Sequence, residues 1–169
     1  MEIIEKYNDI FKLSCELRDA LEYIRDEKLY GKLTMFSHFP KECCTYTSMI
    51  LVEYFRYCGI EMNRLKTVYA NTKNWKISDC SGHSHSWVVV DDNVYVDITA
   101  DQFNDKDYFR DYKGTIPCCL IVNRDTYIYS LFETPQMDYS FGFDSAIGSN
   151  KENLENILQM SIEYIANVN

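Results

Sequence analysis

The stretch that most constrains this fold is SHSWVVVDDNVYVDIT, residues 84 to 99. Two runs rich in Val flank an acidic turn, which is the pattern of an antiparallel hairpin. Side chains alternate between faces along a strand, so the register decides which residues meet. A three-residue loop, Asp91-Asp92-Asn93, makes the numbers of opposed residues sum to an even value. His85, Trp87, Tyr95 and Asp97 then share one face. His85 and Asp97 are diagonal neighbours there, about 7 to 8 Å apart at the backbone and within side-chain reach. A two-residue loop, Asp92-Asn93, puts them on opposite faces. His83 has the same parity as His85 but lies in a Ser-Gly-rich loop.

Helical periodicity brackets this hairpin. Apolar residues from Ile3 to Ile24 recur at helical spacing, predicting one amphipathic helix over 3 to 27, ending near Gly31. Residues 32 to 42 read as a loop, with Pro40 close to the next helix start. A second helix is expected over 43 to 58, closed by Gly59 in a left-handed conformation. It is apolar on more than one side (Met49, Ile50, Leu51, Val52, Tyr54, Phe55), as a central buried helix is. Strands are expected at 65 to 71, 84 to 91, 93 to 99 and 116 to 123, with loops at 71 to 82 and 104 to 115. Residues 126 to 148 mix turn formers and aromatics and have no assigned element. A last helix is expected over 150 to 167, capped by Ser149 or Asn150. Helices, then antiparallel strands, then a helix give the α+β class. The 169 residues, 1 to 169, suit a single domain with a sizeable core.

Charge narrows the function. Lys plus Arg total 17 against 26 Asp plus Glu, a net charge of −9. That argues against nucleic acid and anionic membranes as partners. The 14 Tyr therefore read first as packing, not as base-stacking platforms. There is no apolar run near the length of a membrane span, and the charged, periodic N-terminus does not have the form of a signal peptide. The 7 cysteines are an odd number, and Cys43-Cys44 and Cys118-Cys119 are tandem pairs poorly placed to bridge to each other. A reducing, cytoplasmic setting is the expectation.

The chemistry centres on the helix start. Unpaired N–H groups and a partial positive charge there favour thiolate over thiol at Cys43 or Cys44. The same N–H groups suit the oxyanion of a tetrahedral intermediate. A thiol nucleophile gains from an imidazole, and the imidazole from a carboxylate that orients it. The hairpin offers both. Blander readings stand beside this one. Cys15, Cys58, Cys118 and Cys119 read as small buried hydrophobes. A histidine can be a hydrogen-bonded structural residue, and Asp97 a strand-end acid. Cys80-x-x-His83-x-His85 has the ligand types for zinc but lacks a second well-spaced pair.

Taken together, CTYTSMILVEYFRYCGI and HSWVVVDDNVYVDIT resemble the transglutaminase-like superfamily of papain-fold cysteine enzymes. The resemblance covers roughly residues 37 to 103, within an expected core of about 37 to 123. A Cys is followed four positions on by a small residue, then an apolar helix and Gly-Ile. A His-x-Trp strand precedes one ending in Asp-x-Thr. By that match Cys44 corresponds to the nucleophile, His85 to the base and Asp97 to the orienting acid. The resemblance implies a central helix packed on an antiparallel sheet. It implies acyl transfer through a thioester on protein or peptide amides, as peptidase, glutamine deamidase or transglutaminase, with no cofactor or metal. Some relatives have lost catalysis and act as binding modules, which is the alternative here. The pattern departs at Glu42, where the family often has Gly. No upstream oxyanion donor is identifiable among Phe36, His38 and Phe39. Gln102 either donates to the site from outside or bonds locally within its own turn, as such side chains usually do.

Overall fold

The computed structural model describes residues 2–71, 84–105, 115–132, 137–139, 142–146 and 148–168. The expected loops near 71 to 82 and 104 to 115 fall largely outside them, as do Cys80 and His83 of the zinc reading. Among the described residues, no group of three or more His, Cys, Asp and Glu is arranged to hold a metal. Nor is any helix among them long and apolar enough to cross a membrane.

The N-terminal periodic segment is two helices, not one: α1 (Glu2–Lys6) and α2 (Asn8–Asp26). The break is at Tyr7, whose ψ of 35° leaves the helical region while i to i−4 bonds continue on both sides of it. It turns α1 onto the sheet, against β4 (Leu120–Asn123), while α2 keeps its apolar stripe on the helical core. Thr34–His38 form a 3-10 turn within the expected loop, anchored by buried Phe36.

The central helix α3 runs Cys44–Tyr57, so Cys43 is its N-cap and not its first helical residue. At its other end Gly59 has φ +90°, its N–H bonds the Arg56 carbonyl, and the Ile60 N–H bonds the Phe55 carbonyl. That paired closure is the Schellman motif, which favours a residue without a Cβ. The last helix, here α5, is Ser149–Val168. Asn150 does not serve as its cap in the expected sense. Its amide nitrogen donates to the Tyr46 hydroxyl on α3 at 2.9 Å.

The sheet has five strands in the order β4-β3-β2-β1-β5, with all four pairings antiparallel. They are β1 (Leu65–Asn71), β2 (Ser84–Val90), β3 (Val94–Asp97), β4 and β5 (Met137–Tyr139). β3 is shorter than expected because the chain turns away after Asp97. β4 starts four residues later than the expected 116, at Leu120. The segment without an assigned element supplies β5 and the short helix α4 (Tyr127–Ser130).

The hairpin register is the one that matters for function. Val90 pairs with Val94, Val89 with Tyr95 and Val88 with Val96, so the loop is Asp91-Asp92-Asn93. Leu65, Val88, Val90, Val94, Val96 and Ile121 therefore face α2, α3 and α5 in one core. Val68, Ala70, Trp87, Val89, Tyr95 and Leu120 face the other way, into a second core closed by Ala100, Phe103, Ile116, Ile128, Tyr129 and Phe132. Burying both faces is what lets β2 read as an almost continuous apolar run. The architecture is α+β.

Candidate functional site

The first turn of α3 meets the sheet where β2, still paired with β1, runs past the end of β3. The β2–β3 ladder extends only from Val90↔Val94 to Val88↔Val96. By the same register Asp97, the last residue of β3, stands opposite Trp87, and residues 84 to 86 of β2 have no β3 residue opposite them. The Cys44 thiol lies at this end of the sheet, close enough to His85 and the Ser86 backbone N–H for both to lower it. Next to it the hydroxyls of Thr45 and Ser86 hydrogen-bond at 2.9 Å, pinning helix to strand.

His85 is fully buried. Its Nε2 lies 2.6 Å from Asp97 Oδ2. Asp97 is buried too, and its oxygens are well supplied with donors. Oδ1 accepts from the Thr99 backbone N–H at 2.8 Å and the Thr99 hydroxyl at 3.0 Å. Oδ2 also accepts from the Tyr129 hydroxyl at 3.1 Å. A carboxyl that accepts this many bonds is held as the anion. Nε2 must then carry a proton and donate it, which leaves Nδ1 for the sulfur side.

Three aromatic rings enclose the imidazole: Phe103 edge-on at 4.8 Å, with Trp87 and Phe132 each at 5.8 Å between centroids. Bulk water is excluded, so each electrostatic contact is stronger than at the surface. The Trp87 Nε1 is buried with no hydrogen-bond partner among the described residues.

The electrostatics follow from this packing. Burial alone would push the Cys44 thiol up, but the His85 hydrogen bond and charge, with the Ser86 N–H, outweigh it, and the thiol is lowered. Burial would push His85 down, yet the charge and hydrogen bond of Asp97, with those of Cys44, raise it. Burial would raise Asp97, and His85 together with Thr99 lowers it. Cys43 has none of this help. It is 1% exposed, and burial outweighs a 3.6 Å bond from the Thr47 hydroxyl and pushes its thiol up to about 12.

Of the predicted residues, His85 and Asp97 are hydrogen-bonded at 2.6 Å, and His85 lowers the Cys44 thiol. Glu42, the departure from the expected Gly, points to solvent and bonds His38 Nδ1 at 2.9 Å, with both side chains more than half exposed. Its φ of +64° explains why Gly suits that position. His38 is therefore a surface residue, and Phe36 and Phe39 belong to the helical core. Gln102 does both things open to it. Its Nε2 donates to the Thr99 carbonyl at 2.8 Å, and the same nitrogen lies 3.3 Å from His85 Nδ1.

The remaining cysteines correct one expectation. Cys119 is buried and Cys15 half-buried, but Cys58 and Cys118 are exposed. Cys58 lies past the last turn of α3. Cys118 and Cys119 lie in a bend just before β4, which exposes the first and buries the second.

Sequence reasoning missed Tyr129 and Arg18, and took Thr99 only as part of the Asp-x-Thr motif without a role. Thr99 had a signal, since a hydroxyl two residues after an Asp is a recurrent local bond. Arg18 had one too, because it breaks the apolar stripe of α2 beside Leu17 and Leu21. It is 3% exposed, bonds the Ile98 carbonyl at 2.6 Å and grips Asp101 through two 2.9 Å bonds. Tyr129 had none, because it lies in the segment whose elements the sequence does not define. No family model, no curated protein and no solved structure matches this chain.

Proposed function

We propose that this chain is a cysteine-dependent acyl-transfer enzyme of the transglutaminase-like, papain-fold kind, acting on amide bonds of proteins or peptides. One observation carries the reading: a half-buried thiol opens the central helix on the side of a buried imidazole that is bonded at 2.6 Å to a buried carboxylate. The Cys44 thiol is lowered, whereas a structural cysteine in an apolar site is shifted up, as Cys43 is. The chain order supports it as well: thiol on the central helix, imidazole on one strand, acid at the end of the next.

In this reading the Cys44 sulfur attacks the carbonyl carbon, and the carbonyl π pair moves to oxygen. The thiol proton resides on His85 Nδ1 and passes to the leaving nitrogen as the C–N bond breaks. Asp97 holds the Nε2–H tautomer and the charge that develops on the ring. The thioester is resolved by water or an amine, which returns its proton through His85. The backbone N–H of Cys44 faces the developing oxyanion. The step needs no cofactor.

The test is iodoacetamide labelling across pH, with the modified residue located by mass spectrometry. Cys44 should react well below the ordinary thiol value of about 8.5. Cys44→Ala removes that reaction, and His85→Ala moves it up to the ordinary range. A wild-type Cys44 that reacts only near or above about 8.5 overturns the reading, and leaves a non-catalytic interaction module.

A further inference from the structure

We infer that Tyr129 is a positioning residue for the proton transfer: its hydroxyl shares the Asp97 oxygen that receives the imidazole N–H, and so limits how tightly His85 keeps a proton. This rests on the acyl-transfer reading above. The hydroxyl lies 3.1 Å from Asp97 Oδ2, the same atom that stands 2.6 Å from His85 Nε2. An ionised carboxylate only accepts, so both groups donate to it. Oδ1 is taken by the Thr99 backbone N–H and hydroxyl. Oδ2 therefore divides its negative charge between the ring and the phenol.

The chemistry gives that division a purpose. His85 must hold a proton and later release it to the leaving nitrogen. Burial alone would lower His85, but Asp97 and Cys44 raise it to about 10. A general acid works best with a pKa near the working pH, and an undivided buried anion would hold the ring proton more tightly still. The Tyr129 O–H turns its positive end toward Oδ2. That weakens the pull of the carboxylate on the imidazolium and keeps the ring a usable acid. Nε2 bears its hydrogen in the neutral and the charged ring alike, so the shared oxygen serves throughout the cycle.

Among the described residues, the polar groups around this pair are Cys44 from α3, Thr99 and Gln102 from the segment after β3, and Tyr129 from α4. Arg18 of α2, which bonds the Ile98 carbonyl, is paired with Asp101 and Glu22. Thr99 belongs to the turn that follows Asp97. Tyr129 comes from 32 residues away and meets the imidazole on one oxygen atom. Its ring packs at 4.7 Å on Tyr95 and 4.9 Å on Trp87, contacts that a phenylalanine keeps. The hydroxyl can thus be removed without the packing.

The test follows the His85 titration by NMR of the full chain, with carbon-13 at the imidazole Cε1 positions. The chain has 3 histidines, and His38→Ala and His83→Ala assign the signals. Tyr129→Phe should raise the His85 midpoint by about half a unit or more, and move the Nε2 proton resonance downfield as the bond to Asp97 tightens. Placing 3-fluorotyrosine at position 129 makes the donor more acidic and keeps every bond, so the midpoint should fall. If Tyr129→Phe does not fold, the fluorinated protein decides alone. An unchanged midpoint means that the hydroxyl only fills its place in the second core. A lowered midpoint in Tyr129→Phe means that it holds the carboxylate within reach of the ring. Either result overturns the inference. A wild-type Cys44 without low-pH alkylation instead overturns the acyl-transfer reading itself.

Discussion

Cys43 and Cys44 are adjacent in sequence and opposite in chemistry, and the cause is direction. Cys43 turns into the helical core, where burial outweighs the Thr47 hydrogen bond and its thiol is pushed up to about 12. Cys44 turns to the His85 edge of β2. Cys43→Ala should therefore leave the low-pH labelling of Cys44 in place while costing about 1 kcal/mol of stability for the small void, measured by urea unfolding. Asp97→Asn should do the reverse. Without the anion the imidazolium loses its partner, and low-pH labelling at Cys44 falls at least about tenfold. Stability carries the same signature. Asp97 is lowered in the folded state, so its stabilisation is present above the unfolded carboxyl value near 3.9 and is lost as pH falls through the lower folded value. Unfolding midpoints measured from pH 7 down to pH 2 should drop at the acid end in the wild type, and the drop should flatten in Asp97→Asn.

At the scale of elements, the hairpin turn is the decisive piece. Asp91 and Asp92 both sit at positive φ, 51° and 59°. The conformation costs a non-glycine residue roughly 1 to 2 kcal/mol. Asp91 is held there by two bonds from the Arg64 guanidinium, at 2.7 and 2.9 Å. Asp92 is largely exposed and pairs only with the Lys66 ammonium, a surface contact of little worth. Asp92→Gly should therefore stabilise the protein by about 1 kcal/mol, raising Tm by about 2 to 4 °C while keeping the three-residue register and the labelling of Cys44. The same turn shows what was legible. The parity argument anticipated that His85, Trp87, Tyr95 and Asp97 share a face. It did not anticipate that β3 ends at Asp97 and leaves β2 open for a helix, because that depends on how α3 docks.

At the scale of the molecule, Arg18 ties the two halves together. It comes from α2 in the helical layer and holds the Ile98 carbonyl and Asp101, on either side of Thr99, in the segment between Asp97 and Gln102. Its guanidinium also stacks over Phe39 at 4.6 Å. Removing it leaves a carboxylate and a carbonyl without their donor. Arg18→Met should destabilise by about 3 kcal/mol, lowering Tm by roughly 6 to 12 °C in thermal unfolding. α5 closes the same layer, with Tyr164 stacked on Tyr23 of α2 at 4.6 Å.

What the sequence determined by itself was local and periodic: the helical stripes, the apolar central helix closed at Gly59, and the alternation in the hairpin that puts His85 and Asp97 on one face. Each follows from spacing along one segment, where neighbours in sequence are neighbours in space. Tertiary structure alone decided the rest. It broke the first helix at Tyr7, brought Tyr129 and Arg18 to Asp97 and its loop, and set Gln102 against His85. Those contacts join residues up to 83 positions apart, and no periodicity encodes which distant side chain fills a gap. Packing chooses it, because a buried carboxylate and a buried imidazole need every partner the fold brings within reach.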